Sequence, residues 1–221
     1  EYVLAENTYK FGFHGITAGK WLSKKLSADY GMVCDSYDFG ADESVYKFTN
    51  SGIRKEVFFY ARPVTERRAF DLGIMALELF HKKHPDYVIN LAGWDVSMHD
   101  VPFPYVNHKA LNLNQLNDLY SKCAAGLVLS LTNMSLLPLE LLAAGVIPVV
   151  NEGDNNRDVS DNTYIFYAKA SPSSLADAMS EIVSRKDLPE YAKKASESTH
   201  GASWDEAKER FMAMLDREIY G

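Results

Sequence analysis

Short apolar runs alternate along the chain with longer stretches in which apolar residues recur every three or four positions. EVFFYA (56–61) is brief, aromatic and unalternating, the pattern of a strand buried on both faces. Arg67 to His81 then has helical period. Phe70, Ile74 and Leu77 form one stripe and Leu72, Met75 and Leu79 lie beside it, so a deeply packed helix is predicted, ended by Pro85. The same reading gives strands over 87–93, within 101–110, and over 126–131, 146–151 and 163–168. It gives helices over 114–122, over 138–144 with Gly145 as cap, and over 171–184 with Ser171 as N-cap and Pro172 at the first turn.

Alternation of this kind predicts an α/β fold: a Rossmann-like parallel sheet with helices on both faces. Ligands of such sheets bind beyond the carboxyl ends of the strands, so the residues that follow each strand matter most. The first 45 residues read differently. Residues 16–26 form one amphipathic helix, 33–42 a strand and turn, and 44–56 a polar, aperiodic linker, which places a boundary near Val45.

Composition narrows the picture. The chain of 221 residues carries a net charge of −7, which disfavours nucleic acid because the phosphate backbone would be repelled. Two cysteines far apart, Cys34 and Cys123, suggest free thiols in a reducing compartment, with Cys123 buried. The apolar runs are too short to span a membrane and the first residues lack a signal-peptide pattern. A cytoplasmic location is expected, with at most peripheral membrane association. A chain that starts at Glu1 without an initiator Met reads as part of a longer one.

Several familiar sites are missing. GITAGKW lacks the spacing and the Ser or Thr of a phosphate-binding P-loop, and neither G-x-G-x-x-G nor G-x-S-x-G occurs. His81 and His84 read as a solvated helix end rather than metal ligands, and no metal site is expected. Two segments remain. In ARPVTERRAFDLG (61–73), Arg62 follows a strand and Arg67 and Arg68 open the next helix, so three guanidiniums converge where phosphate oxygens could be held bidentately. Alternatively, Arg67 and Arg68 pair with Glu66 and Asp71. In SLTNMSLLPLELLAAGVIPVVNEGDNNRD (130–158), a helix starts at Pro138, with the N–H groups of Leu136 and Leu137 at its positive end. Glu140 could accept hydrogen bonds from a ribose diol, or merely offset the helix dipole. An unpartnered carboxylate among Leu139, Leu141 and Leu142 would be costly.

These segments resemble the donor-nucleotide motif of GT-B glycosyltransferases of the family-4 type, and within it the rhamnosyltransferase and rhamnan-synthesis branch. The resemblance rests on SLLPLE, AAGVIPVV and NEGDNNRD, and covers most of the chain. ARPVTER resembles the family's GRL-x-x-EK segment, INLAGWD its strand–Gly segment, and LNQLNDLYSKCAAGLVLS its helix and following strand. HGITAGKWL and YDFGAD resemble the end of the acceptor domain and the turn into the donor domain, and ASWDEAKERFMAML the helix that crosses back.

The resemblance implies a metal-independent, retaining transferase that takes a hexose or deoxyhexose, possibly rhamnose, from a dTDP- or UDP-linked donor to a glycan acceptor in polysaccharide biosynthesis. It implies diphosphate binding by Arg62, Arg67, Ser135, Leu136 and Leu137, ribose binding by Glu140, base binding by Val106 and Lys109, and sugar contacts at Thr132 and Asn133. The implied organisation is an acceptor-domain remnant over 1–45, the donor domain over 46–200 and the crossover helix over 201–221. The acceptor domain and its catalytic residues would then lie outside this chain, which should bind donor without turnover. No cofactor is implied. The sequence departs from the family at Thr132, where an acidic sugar contact is usual, in NMSLL, which replaces a Gly-rich loop, and at Arg67, which replaces a Lys. Two other readings stay open: a non-catalytic nucleotide or sugar-phosphate binding module, and a sugar-phosphate epimerase with His108 as its acid–base group.

Overall fold

The computed structural model describes residues 2–201 and 203–220. Ala202 and Gly221, within the segment read as the crossover, lie outside the described residues, as does Glu1. In chain order the elements are α1 (Tyr2–Thr8), β1 (Gly15–Ala18), α2 (Lys20–Tyr30), β2 (Cys34–Tyr37), β3 (Glu56–Tyr60), α3 (Phe70–Lys83), β4 (Val88–Ala92), β5 (Val106–Lys109) and α4 (Leu113–Tyr120). They continue with β6 (Cys123–Val128), α5 (Leu137–Ala143), β7 (Ile147–Asn151), α6 (Asp154–Arg157), β8 (Phe166–Ala168), α7 (Pro172–Val183), α8 (Leu188–Glu197) and α9 (Trp204–Tyr220).

Among the described residues, β3 to β8 form one parallel sheet in the order β5-β4-β3-β6-β7-β8. The chain runs outward from β3 in one direction, then returns to β6 and runs outward in the other. The point of reversal lies between β3 and β6, and a doubly wound sheet opens its ligand crevice there. Every residue of β6 and of β7 is buried, which explains their unalternating apolar sequences. Helices α3 and α7 pack together on one face, and α5 packs with α8 on the other.

Several expectations are corrected. The segment 16–26 is not one helix. Residues 15–18 pair in parallel with β2, Gly19 turns the chain at φ 84°, and the helix starts at Lys20. The helix expected from Arg67 is interrupted: residues 66–68 form a 3-10 turn, Ala69 adopts a left-handed conformation at φ 46°, and α3 begins only at Phe70. Strand β6 ends at Val128, because the N–H of Ser130 is taken by the Asn151 side chain at 2.7 Å rather than by a neighbouring strand. Only 166–168 of the expected last strand pairs with β7.

The linker 44–56 is less exposed than its polarity suggests, since Tyr46 and Arg54 are both buried. Nor do the histidines of α3 lie free in solvent. His84 stacks on Phe80 and packs edge-on against Tyr87, and Nδ1 of His81 is buried. Cys123 is buried and unbridged, as its apolar context implies.

The two-stranded parallel sheet β1–β2 is flanked by α2 and α9. Among the described residues, no helix is long and apolar enough to cross a membrane.

Candidate functional site

A cleft of about 400 Å³ opens at the carboxyl edge of the sheet, over the point of reversal. Its walls come from four places that follow strands. Tyr60 and Arg68 follow β3, and Ala92 and Gly93 end β4. The stretch from Ala110 to Leu116 follows β5. Ser135, Leu136, Leu137 and Glu140 follow β6.

Local backbone geometry sets this up. Gly93 has φ 117°, and a Cβ there would stand 2.6 Å from the Tyr60 ring, so only glycine lets β4 end so close to the cleft floor. In the 66–68 turn, the N–H of Arg68 donates to Thr65 at 2.8 Å and that of Ala69 to Glu66 at 2.9 Å. The left-handed Ala69 then sends the chain into α3. This break, not a continuous helix, turns Arg68 inward.

Arg68 is 8% exposed and its guanidinium lies 5.9 Å from the Tyr60 ring centroid. Burial, and then the neighbouring Arg67 and Arg62 charges, hold its pKa below the usual arginine value. Among the described residues, five buried side-chain polar atoms lack a hydrogen-bond partner, and two of them, Arg68 Nη1 and Ser135 Oγ, belong to this cleft. A buried donor without an acceptor costs about 1–3 kcal/mol, more when charged. Two such atoms in one cleft mark a place shaped for a polar, anionic ligand.

Glu140, in the first turn of α5, supplies the carboxylate. Burial raises its pKa, and a hydrogen bond from Tyr46 partly offsets the rise. Tyr46 comes from the linker and stacks on Tyr120 at 5.9 Å, while burial and the nearby Glu140 charge raise its own pKa.

The other predicted residues are distributed unevenly. Ser135, Leu136, Leu137 and Glu140 line the cleft. Arg62 and Arg67 do not; both are exposed at its approach. Arg62 Nη1 donates to the Tyr60 hydroxyl at 3.2 Å, and Arg67 Nη1 to the Thr132 hydroxyl at 3.3 Å. The expected pairing of Arg67 and Arg68 with Glu66 and Asp71 is not observed among the described ion pairs.

Thr132 and Asn133 sit in the loop between β6 and α5. A network fixes this loop. Ser130 donates to the Asn133 carbonyl at 2.6 Å, the Leu131 N–H to the Arg67 carbonyl at 2.9 Å, and Asn155 to the Thr132 carbonyl. Asn151 and Asn156 both donate to the Ser130 carbonyl, at 2.9 and 3.1 Å.

Val106 and Lys109 lie on the edge strand β5 and do not line the cleft. Lys109 pairs with Asp95 at 3.1 Å. The apolar end of the cleft is built instead by Ala110, Leu111, Leu113 and Leu116. His108 points elsewhere too: its Nε2 meets Asn90 Oδ1 at 2.8 Å, and burial lowers its pKa. It therefore offers no acid–base group to the cleft. Among the described residues, no three His, Cys, Asp or Glu side chains are grouped to hold a metal ion.

Sequence reasoning missed the roles of Arg68, Tyr46 and Tyr60. Arg68 was one position from the residue singled out, and only the left-handed Ala69 decides between the two.

Comparison with known proteins places this cleft in context. The chain is 30% identical over 220 residues to the O-antigen biosynthesis protein RfbC of Myxococcus xanthus, a match that spans 96% of this chain but 17% of that protein. Sucrose-phosphate synthase from Thermosynechococcus elongatus superposes with a TM-score of 0.77 at 13% identity, over 99% of this chain and 61% of that one. A TarM variant of S. aureus, solved with UDP, fondaparinux and α-GlcNAc-glycerol, superposes with a TM-score of 0.73 at 15% identity, over 97% and 46%. At such identities these structures speak to fold, and the fold is that of the C-terminal part of a GT-B glycosyltransferase. The family described as WsaF, C-terminal domain, matches residues 55–180, more than half of the chain and all of β3 to α6, and the chain belongs to that family.

Proposed function

We propose that the cleft binds the nucleoside-diphosphate end of an activated sugar, and that the longer protein transfers the sugar to a glycan acceptor in polysaccharide biosynthesis. The observation that carries this reading is the pair of unpartnered buried atoms, Arg68 Nη1 and Ser135 Oγ, set in one cleft with the Glu140 carboxylate. A diphosphate satisfies the guanidinium and the hydroxyl, a ribose diol satisfies the carboxylate, and a flat base fits the apolar end at Leu111 and Leu113. The printed name of RfbC and the UDP in the TarM structure support the same reading.

In transfer, the bond between the anomeric carbon and the diphosphate oxygen breaks and the nucleoside diphosphate leaves with the electron pair. Arg68, with Arg62 and Arg67 at the approach, stabilises the charge that grows on the leaving phosphate, in a cleft where water screens it poorly. In this reading the guanidiniums supply the positive charge that a metal ion could otherwise supply, and transfer retains the anomeric configuration. Thr132 and Asn133 face the sugar, a hexose or deoxyhexose such as rhamnose, carried on UDP or dTDP. The acceptor and the groups that hold it belong to the longer protein, and the domain spans 1–45, 46–200 and 201–221 are proposed as its acceptor-side, donor and crossover parts.

Calorimetric titration of the chain with UDP, dTDP, GDP and ADP tests the site. One nucleotide should bind, and Arg68→Met and Glu140→Gln should weaken it. Binding of none, or no effect of either substitution, refutes the assignment. A longer protein that binds donor yet never transfers sugar would favour the non-catalytic binding module.

A further inference from the structure

The linker residue Tyr46 is unexplained by packing alone. It is 4% exposed although it stands in a polar, aperiodic segment, and it belongs to the walls of the same cleft as Glu140 and Arg68. A turn delivers it: the Asp42 carbonyl accepts the N–H groups of Val45 and Tyr46, at 3.1 and 2.9 Å. Its ring then lies against Tyr120 of α4, whose own ring packs edge-on to Phe58 of β3 at 5.0 Å. The stack fixes the ring plane, and so fixes where the hydroxyl can reach.

We propose that Tyr46 is a positioning residue for nucleotide binding, its hydroxyl holding the Glu140 carboxylate toward the ribose diol of a nucleoside diphosphate. The inference rests on the function proposed above. A phenol that donates to one carboxylate oxygen leaves the remaining lone pairs directed at the two ribose hydroxyls. It also favours the ionised carboxylate, which is the form that accepts both hydroxyl protons. The groups facing Glu140 are Tyr46 from the linker, Tyr120 from α4 and Tyr60 from β3, with Arg68 across the cleft. Against burial, which raises the Glu140 pKa, Tyr46 is the partner that lowers it.

The test compares UDP with 2′-deoxy-UDP by calorimetry on the 221-residue chain and its Tyr46→Phe variant, across a range of pH. Phe keeps the stack on Tyr120 and removes only the hydroxyl. The unaltered chain should prefer UDP by about tenfold, the worth of one hydrogen bond to a charged group. Tyr46→Phe should cut that preference to about twofold or less, and the fall in UDP affinity on the acid side should move to higher pH. Glu140→Gln should lose the same preference, and the double variant should lose no more than either single one. A Tyr46→Phe chain that keeps the full preference and an unmoved acid limb overturns the inference, as does additivity in the double variant. If Arg68→Met and Glu140→Gln leave UDP binding intact, the underlying site reading fails instead.

Discussion

Two arginines are buried in this domain, at opposite ends of the same sheet. Arg54 lies just before β3 and is 4% exposed, and Arg68 lies beyond the other end of β3 at 8%. Arg54 spends its donors on backbone. It reaches the carbonyls of Asn50, Cys123, Ala144 and Gly145 at 2.6 to 3.3 Å, and so ties the linker to the starts of β6 and β7. Burial brings its pKa down to about 10, still well above neutrality. Arg68 has a guanidinium nitrogen with nothing to bond. The difference teaches how to separate a structural charge from a functional one. Similar burial means opposite things depending on whether the donors are satisfied within the fold.

The sharpest way to break this comparison is to remove each charge in turn. Arg54→Met strips hydrogen bonds from several buried carbonyls and should cost about 3 kcal/mol, a fall in Tm of roughly 6–12 °C, with UDP affinity nearly unchanged below the transition. Arg68→Met should do the reverse, weakening UDP about 10- to 100-fold by calorimetry while Tm holds or rises, because an unsatisfied buried charge is gone. If Arg68→Met instead unfolds the domain as Arg54→Met does, the two arginines have the same role and the contrast collapses.

A finer prediction concerns pH. Burial raises the Glu140 pKa above its ordinary 4.5. A carboxylate raised in the fold is more easily protonated there than in the unfolded chain, so at this position the empty domain gains stability as pH falls through the raised value and loses it as pH rises. Nucleotide binding runs the other way, since the ribose needs the ionised form. Acidification should therefore weaken UDP while strengthening the empty fold, and Glu140→Gln should flatten both trends. Thermal unfolding and calorimetry at matched pH measure the two signs.

The smallest effect is expected away from the cleft. Around β2 and α9 the charges are paired but open to solvent: Arg210 with Asp38 at 2.7 Å, Arg217 with Asp35, and His14 between Asp35 at 3.0 Å and Glu218 at 2.7 Å. Arg210→Ala should cost no more than about 1 kcal/mol, and should lose even that in high salt. A larger loss of Tm would show that this outer layer contributes more than exposed pairs normally do.

Much of the architecture was legible from local pattern. The buried strands at 56–61 and 146–151, the Ser171 cap with Pro172, and the leucine-rich start of α5 each follow from residues close together in sequence, where period, propensity and capping act. The reading failed where a non-local partner or a special dihedral decided the outcome. The segment 16–18 looks helical until β2 pairs with it, and the helix expected from Arg67 is broken by a left-handed alanine that no propensity predicts.

The sequence by itself determined an α/β domain whose chemistry follows its strands, and it singled out Ser135 and Glu140 near one helix start. Only the tertiary structure decided which arginine enters the cleft, which residues build its apolar end, and that a tyrosine from the linker meets Glu140. The physical reason is that a side chain's direction depends on the backbone turn beneath it, and its ionisation on what is packed around it. Both are fixed by contacts between distant parts of the chain, and Tyr46 and Glu140 stand 94 positions apart in sequence but in one cleft.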